Sequence, residues 1–320
     1  MKAAVSHRYG PPDVVRIEDV PTPTPAADQV LVRVHSAAVT IADARIRGSN
    51  FPAGMTAGAR LVLGVRRPRL HVLGSAFSGV VDAVGTDVTA FAAGDEVCGM
   101  TPFRMMGAHA EYVVAPTARV VRKPADVTHD DAAGVLFGGT TALGYLRGKA
   151  AVRRGQSVLV NGASGAVGTN AVQLAKRLGA RVTALTSAPN AALVASLGAD
   201  RVIDYAATPL AEITDRFDVI IDTVGNVSPA AWKALLAHHG VLLLVVANLV
   251  NTIRARGNVK TGTVPERAEE FEELLRLVAS GELTVVIDQV LPLDQIVAAH
   301  ERVDSGHKVG NLIVHPPLVE

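Results

Sequence analysis

Apolar residues follow two regimes along this chain. Over 157–246, short Val/Ile/Leu runs at 157–161, 181–186, 201–204, 218–222 and 240–246 alternate with helix-compatible stretches at 166–178, 189–197, 208–214 and 228–237. Uninterrupted apolar strands separated by helices predict a parallel sheet buried on both faces, a doubly wound α/β unit. The first 120 residues read differently: strand-like runs at 28–39, 71–85, 96–99 and 110–115 are broken by Gly and Pro and carry little helical periodicity. Gly74, Gly79, Gly85, Gly94 and Gly99 punctuate that stretch as turns or bulges would. Toward the C-terminus a charged helix pattern at 266–280 leads to a strand-like 284–290, a helix ending at 305 and a closing strand at 311–314. Two domains with a cleft between them are expected, and such a cleft is the usual place for a small-molecule site.

Composition excludes several function classes. The 320 residues are 49% hydrophobic and 19% charged, which is globular and leaves ample core. A formal net charge of +1 provides no field for nucleic acid or an anionic membrane. Basic clusters at Arg66, Arg67 and Arg69 and at Arg147, Lys149, Arg153 and Arg154 read as solvated loops. The single cysteine, Cys98, excludes an intrachain disulfide and a multi-cysteine metal site. The N-terminus lacks an apolar signal core, and the longest near-apolar run, 241–250, is too short to span a bilayer. A soluble, cytoplasmic protein is expected.

The chemistry concentrates in Ser157-Val-Leu-Val-Asn-Gly-Ala-Ser-Gly-Ala-Val-Gly168. Strand-forming residues run into Gly162, Gly165 and Gly168, and the helix-compatible 166–178 follows at once. Such a turn brings bare backbone N–H groups to a dinucleotide pyrophosphate, and the helix dipole adds partial positive charge. Glycines alone would carry little weight; strand and helix on either side make the pattern specific. A nicotinamide cofactor is expected on Gly165, Ala166, Val167 and Gly168, with Ser164 in the same turn. NAD preference needs an acid near the end of the second strand to take the ribose 2′-hydroxyl. Thr186 and Ser187 stand there instead, so nothing repels a 2′-phosphate and NADP is favoured. The 147–154 cluster precedes the first strand and lies about 15–20 Å from that phosphate at roughly 3.3 Å per residue. Ser187, Asn190 and Tyr205 remain as hydrogen-bonding partners.

Further blocks run through nearly the whole chain: Gly74-Ser-Ala-Phe-Ser-Gly-Val-Val, Gly94-Asp-Glu-Val-Cys-Gly, Ala110-Glu-Tyr-Val, Gly139-Thr-Thr-Ala-Leu, Ala171-Val-Gln-Leu-Ala-Lys, Leu197-Gly-Ala-Asp and Val202-Ile-Asp-Tyr. With the glycine turn they resemble, in order, the medium-chain dehydrogenase/reductase superfamily, specifically its zinc-independent quinone-oxidoreductase-like branch. Gly257-Asn-Val-Lys-Thr-Gly and Gly306-His-Lys-Val-Gly-Asn are similar to bacterial members usually labelled NAD(P)-dependent alcohol dehydrogenase or quinone oxidoreductase. The resemblance implies a GroES-like β-barrel catalytic domain from 1–124 and 259–320, and a Rossmann NAD(P)-binding domain at 125–258. It places Thr141 beside the nicotinamide ribose or ring, Asn226 at the adenosine half, and the backbone near Ala247 and Asn248 at the carboxamide. It brings Asn311 to the nicotinamide from the catalytic domain, and it supports Tyr205. A homodimer is implied through edge pairing of the apolar Gly240-Val-Leu-Leu-Leu-Val-Val strand, whose bare edge would otherwise invite aggregation.

Zinc members of the superfamily carry a Cys three positions before an Asp, a Gly-His-Glu block and a four-cysteine lobe. Here Thr40 precedes Asp43, Gly74-Ser75-Ala76 fills the block, and the lobe is missing, so no metal is expected. Quinone-oxidoreductase relatives often have Asn and Tyr in the segment matching 40–47, where this chain has Thr40 and Arg45. The planar fork of Arg45 suits an enolate or a substrate carboxylate. Alternatively, Thr40-Ile-Ala-Asp43 is a capping-box variant opening a helix, with Arg45 and Arg47 solvated. Tyr112 either faces the cleft or packs in the barrel, and His109 reads as a loop histidine. Thr40, Asp43, Arg45 and Tyr112 form the candidate catalytic set. Tyr145-Leu-Arg-Gly-Lys149 matches the Tyr-x-x-x-Lys pair of short-chain dehydrogenases but precedes the glycine turn, so it reads as chance, in a helix entering the Rossmann unit.

The expected activity is an NADPH-dependent, zinc-free reduction of an enone, enal or quinone. Catalysis then reduces to alignment in a dry cleft and donors aimed at the carbonyl oxygen. Alternatives are a ketone/alcohol oxidoreductase, a tailoring reductase on a biosynthetic intermediate, and an NADPH-binding protein without turnover.

Overall fold

Val158, Leu159 and Val160 are fully buried at the centre of a six-stranded parallel sheet. The computed structural model describes residues 1–317, which divide into two units. One unit comprises 52–54 and 138–265; the other comprises, among the described residues, 1–51, 55–137 and 266–317. In the first, the strands lie in the order Arg201–Asp204, Arg181–Thr186, Ser157–Asn161, Phe217–Asp222, Leu236–Leu244 and Val259–Lys260, all parallel. This is the doubly wound Rossmann order. Its direction reverses between Ser157–Asn161 and Phe217–Asp222, so the loops after those two strands flank the crevice where ligands bind in such sheets. Helices Ala166–Arg177, Ala191–Ser196 and Pro229–Ala234 connect the strands.

Two sequence expectations in this unit need correction. The helix expected at 208–214 is a single 3-10 turn, Leu210–Glu212, because only Ile213 there is buried and no apolar face exists to hold a longer helix. Leu236–Leu244 is not an edge strand: Val259–Lys260 pairs beside it, Leu242 N donates to Asn258 O at 2.8 Å, and the Asn258 amide donates to Gly240 O at 2.8 Å. A strand of two residues has no periodicity to betray it. The helix containing Tyr145 ends in a π-helical turn, Gly144–Lys149, and serves the same edge. The Tyr145 hydroxyl lies 2.7 Å from Gly262 O and 3.1 Å from Leu244 O, while Lys149 Nζ donates to Thr261 O at 2.7 Å. Burial pushes that phenol up to about 12, so the Tyr-x-x-x-Lys match is structural.

The other unit is built on Gln29–Ala38, a ten-residue strand at the branch of a mostly antiparallel sheet. It pairs with Ala76–Val84 and with Tyr112–Pro116, while Ala37 and Ala38 pair with the C-terminal strand Asn311–His315. Ile287–Pro292 adds to Asn311–His315 in parallel, and Glu96–Met100 and Val120–Arg122 extend the opposite side. Val30, Val32, Phe77, Val97, Val113, Leu312 and Val314 form its core. Helix Ile41–Gly48 packs on Ile296–Asp304. The division falls at 137/138 and 265/266 rather than at 124/125 and 258/259. The shift has two causes: helix His129–Leu143 crosses the first boundary, and residues 259–262 complete the parallel sheet.

Candidate functional site

The glycine turn after Ser157–Asn161 is shaped by close approach. Gly162 has φ +75°, and a Cβ there would meet Val224 at 2.5 Å. A Cβ at Gly168 would lie 2.0 Å from Gly162 O. Gly165 is different: its Cβ would touch only Gly162 O, at 3.5 Å, so that side of the turn is open. Gly165 is also the N-cap of Ala166–Arg177 and offers no side-chain acceptor to the first turn. The backbone N–H groups of Ala166, Val167 and Gly168 therefore face an open cradle at the positive end of a twelve-residue helix, which fits a pyrophosphate. Gly138 presses on that helix start, where a Cβ would meet Ala166 O at 2.3 Å. Thr141 lies three residues on and shares the Gly138 face of helix His129–Leu143.

At the end of Arg181–Thr186 a small polar cluster has formed. Ser164 Oγ accepts from Thr186 Oγ1 at 3.0 Å and from Asn190 Nδ2 at 3.1 Å, and Asn190 also reaches Ser187 Oγ at 3.2 Å. Tyr205 N donates to Thr186 O at 3.2 Å, leaving an exposed ring beside the cluster. The structure thus brings Ser164, Thr186, Ser187, Asn190 and Tyr205 together, with neutral donors and no carboxylate in these contacts.

On the other side of the crevice Asn226, Ala247 and Asn248 were expected from the sequence, whereas Asn161 and Asp222 were not. Asn161 and Asp222 end adjacent strands in register, and the Asn161 amide donates to Asp222 Oδ1 at 2.8 Å and to Asn226 Oδ1 at 3.0 Å. Asp222 also accepts from Val224 N, Gly225 N and Trp232 Nε1 at 2.9–3.0 Å. A polar residue closing an otherwise apolar strand was the available signal. Asn226 is exposed and held through Asn161. Asn248 caps helix Leu249–Arg254 by accepting from Asn251 N at 2.8 Å, and Ala247 beside it is buried.

In the other unit, Thr40 and Asp43 form a capping box at the start of Ile41–Gly48. Asp43 is fully buried; its Oδ2 accepts from Thr40 N at 2.7 Å and Thr40 Oγ1 at 2.6 Å, and its Oδ1 accepts from Gly74 N at 2.9 Å. Both oxygens are thereby committed to fixing the helix start to the Gly74 turn. Arg45 is half-buried, its guanidinium makes no hydrogen bond or ion pair among the described residues, and burial lowers its pKa. Arg47 is not solvated, contrary to expectation. It is 2% exposed, donates to Gly10 O at 3.0 Å and pairs with Asp304 at 2.5 Å, because its helix face lies against Ile296–Asp304. Tyr112 alternates with the core residues Val113 and Ala115, which puts it and Val114 on the opposite face from the core. His109 is buried, its Nε2 3.1 Å from Ala38 O. Asn311 begins its strand with its amide donating to Val286 O at 3.0 Å. No group of three His, Cys, Asp or Glu side chains able to hold a metal occurs among the described residues, and burial pushes the Cys98 thiol up to about 12. No helix among them is long and apolar enough to cross a membrane.

Comparison with known proteins agrees with this architecture. Residues 26–125 match the alcohol dehydrogenase GroES-like domain, 197–314 match the zinc-binding dehydrogenase family, and 131–249 match the C-terminal domain of alanine dehydrogenase/PNT. The mitochondrial NAD(P)H oxidoreductase RTN4IP1 of Mus musculus is 32% identical, over 98% of this chain and 89% of that protein. The 2-methylene-furan-3-one reductase of Solanum lycopersicum is 31% identical, over 99% of this chain and 79% of its own. Among solved structures, the quinone oxidoreductase from Coxiella burnetii superposes with a TM-score of 0.89 at 30% identity, over 98% of this chain and 99% of that one. The branched sheet is the GroES-like part, and the six-stranded sheet is the Rossmann part. The chain is an oxidoreductase that uses a nicotinamide cofactor and belongs to the medium-chain dehydrogenase/reductase superfamily, in its quinone-oxidoreductase-like branch.

Proposed function

We propose that the protein reduces an activated alkene or a quinone with NADPH, without zinc. One observation carries the reading: Asp43 and Thr40 are consumed by each other and by Gly74 N, with Ser75 and Ala76 alongside. Among the described residues no thiolate or free acid is offered there, and the imidazole that packs against Gly74, that of His109, has its Nε2 at 3.1 Å from Ala38 O. The bound cofactor supplies the hydride. The chain's own contribution is binding and orientation: the Gly165–Gly168 turn holds the pyrophosphate, and the Ser164, Thr186, Ser187 and Asn190 donors accept a 2′-phosphate without repulsion. Arg45, desolvated and without a side-chain partner among the described residues, is suited to hold an enolate oxygen or a carboxylate of the substrate. The names of the tomato and Coxiella relatives point to enones and quinones as the electron-poor acceptors.

The test is NADPH oxidation against a 1,4-quinone, a 2-enal, a cyclic enone and a simple ketone, with an alcohol and NADP⁺ in reverse and NADH in parallel. Turnover of quinone or enone with NADPH preferred is expected; turnover of ketone or alcohol alone would refute the reading. Ser187→Asp is expected to move the preference toward NADH, since a carboxylate there repels a 2′-phosphate. The proposal includes a homodimer, now through the outer side of Val259–Lys260, the last strand of its sheet. A monomer in sedimentation would remove that part.

A further inference from the structure

Arg66, Arg67 and Arg69 line, with His7, Pro68 and His71, a concave site of about 550 Å³ in the GroES-like unit. We infer that this loop is a second anion site, which takes a small molecule carrying two or more phosphate- or sulfate-type groups. No carboxylate lines it. Arg66 and Arg67 are exposed and their side chains make no hydrogen bond or ion pair among the described residues, and Arg69 spends one N–H on a long 3.4 Å contact with Val62 O. Glu18 reaches only His7, at 3.0 Å, and the His7 and His71 rings stand 5.1 Å apart. The net charge of the chain is only +1, so this concentration of guanidinium groups is local and not a sample of a basic surface.

The loop is built rather than slack. Gly64 has φ +122°, and any Cβ there would lie 2.0 Å from Arg67 O. The Tyr9 hydroxyl donates to Gly64 O at 2.7 Å, Arg69 N donates to Leu63 O at 2.7 Å, and Pro68 is buried. Arg60 lies over the Tyr9 ring, 5.0 Å from its centroid, and its Nε donates to Ser49 Oγ at 2.8 Å, bracing the same turn. A backbone held this way keeps like charges together against their repulsion, and a multiply charged anion relieves that repulsion while filling the planar guanidinium forks. The volume is within the range of small-molecule sites, about 300–1,000 Å³, and suits a diphosphate or phosphorylated sugar.

Inorganic pyrophosphate is the probe, titrated calorimetrically into wild-type protein holding excess NADP⁺, so that the glycine turn is already filled. Saturable binding is expected, weakened at least about tenfold in Arg66→Ala/Arg67→Ala/Arg69→Ala. The three side chains are exposed, so the variant is expected to keep the wild-type melting temperature and NADPH affinity. The inference is overturned if wild type shows no saturable binding, or if the triple variant binds pyrophosphate as wild type does. A Gly165→Asp protein, its glycine turn closed to anions, gives the same comparison independently of NADP⁺.

Discussion

The Asn161 amide bridges two loops: at 2.8 Å it donates to Asp222, the residue opposite it in the parallel ladder, and at 3.0 Å to Asn226. One side chain thereby ties the end of the strand carrying the glycine turn to the loop across the crevice. Asp222 is fully buried and accepts from Asn161, Val224 N, Gly225 N and Trp232 Nε1. Asp222→Ala leaves those donors unpaired and is expected to cost about 3–5 kcal/mol in urea unfolding. A loss under about 1 kcal/mol would mean the loop is held by something else.

Gly165→Asp tests the cofactor turn with little risk to folding, because a Cβ at Gly165 meets only Gly162 O at 3.5 Å. NADPH affinity, read by fluorescence titration, is expected to fall at least about 100-fold as a carboxylate meets the pyrophosphate, with the melting temperature changing by no more than about 2 °C. Gly168→Ala gives the contrast: its Cβ would lie 2.0 Å from Gly162 O, so it is expected to lower stability itself.

Local signals made the glycine turn and its flanking strand and helix legible, since neighbours in sequence build them. Arg47 shows where that stops. Its partner Asp304 lies 257 residues away, and no local pattern distinguishes it from the surface arginine a helix usually carries. Asp43 was legible as half of a capping box, but its third partner, Gly74 N, is 31 residues on. Helix Thr56–Leu63 went unread because Gly58 interrupts it, Gly54 and Gly64 flank it, and its Leu61 and Val62 are exposed, so burial marks it only weakly.

Thr40→Ala is expected to cost about 1 kcal/mol of stability through the lost cap, with kcat on the best acceptor within about threefold of wild type. A fall of about 100-fold at unchanged stability would instead place Thr40 in contact with the substrate.

Arg45→Leu removes an unpaired, half-buried guanidinium, so unfolding free energy is expected to hold or rise slightly. With a carboxylate-bearing enone, KM is expected to rise at least about tenfold, while a neutral enone is affected far less. Equal effects on both substrates would remove Arg45 from substrate recognition.

Stability is expected to fall on acidification. His300 is fully buried with neither ring nitrogen partnered, and burial, then His109 and Arg47, hold it well below the ordinary 6.5. Burial likewise lowers His35 and takes His129 down to about 4. The unfolded chain protonates these groups near 6.5 and the native chain does not, so their contribution is full above about pH 6.5 and declines as pH falls toward about 4. His315, raised by its hydrogen bond to Asp130, acts in the opposite direction: its contribution is present below about 6.5 and is lost as pH rises through its native value. Melting temperatures between about pH 7 and pH 5 check the balance, and His300→Leu is expected to flatten the decline.

The C-terminal strand Asn311–His315 pairs with Ala37 and Ala38, near the other end of the chain. During synthesis the N-terminal sheet therefore emerges without its neighbour, while all six strands of the 138–265 unit are already outside the ribosome and local enough to assemble. Order of birth and order of completion are reversed. The Rossmann unit is able to finish first, and a nascent chain released before Asn311 would hold a folded glycine turn in one unit and, in the other, a sheet with an unclaimed edge.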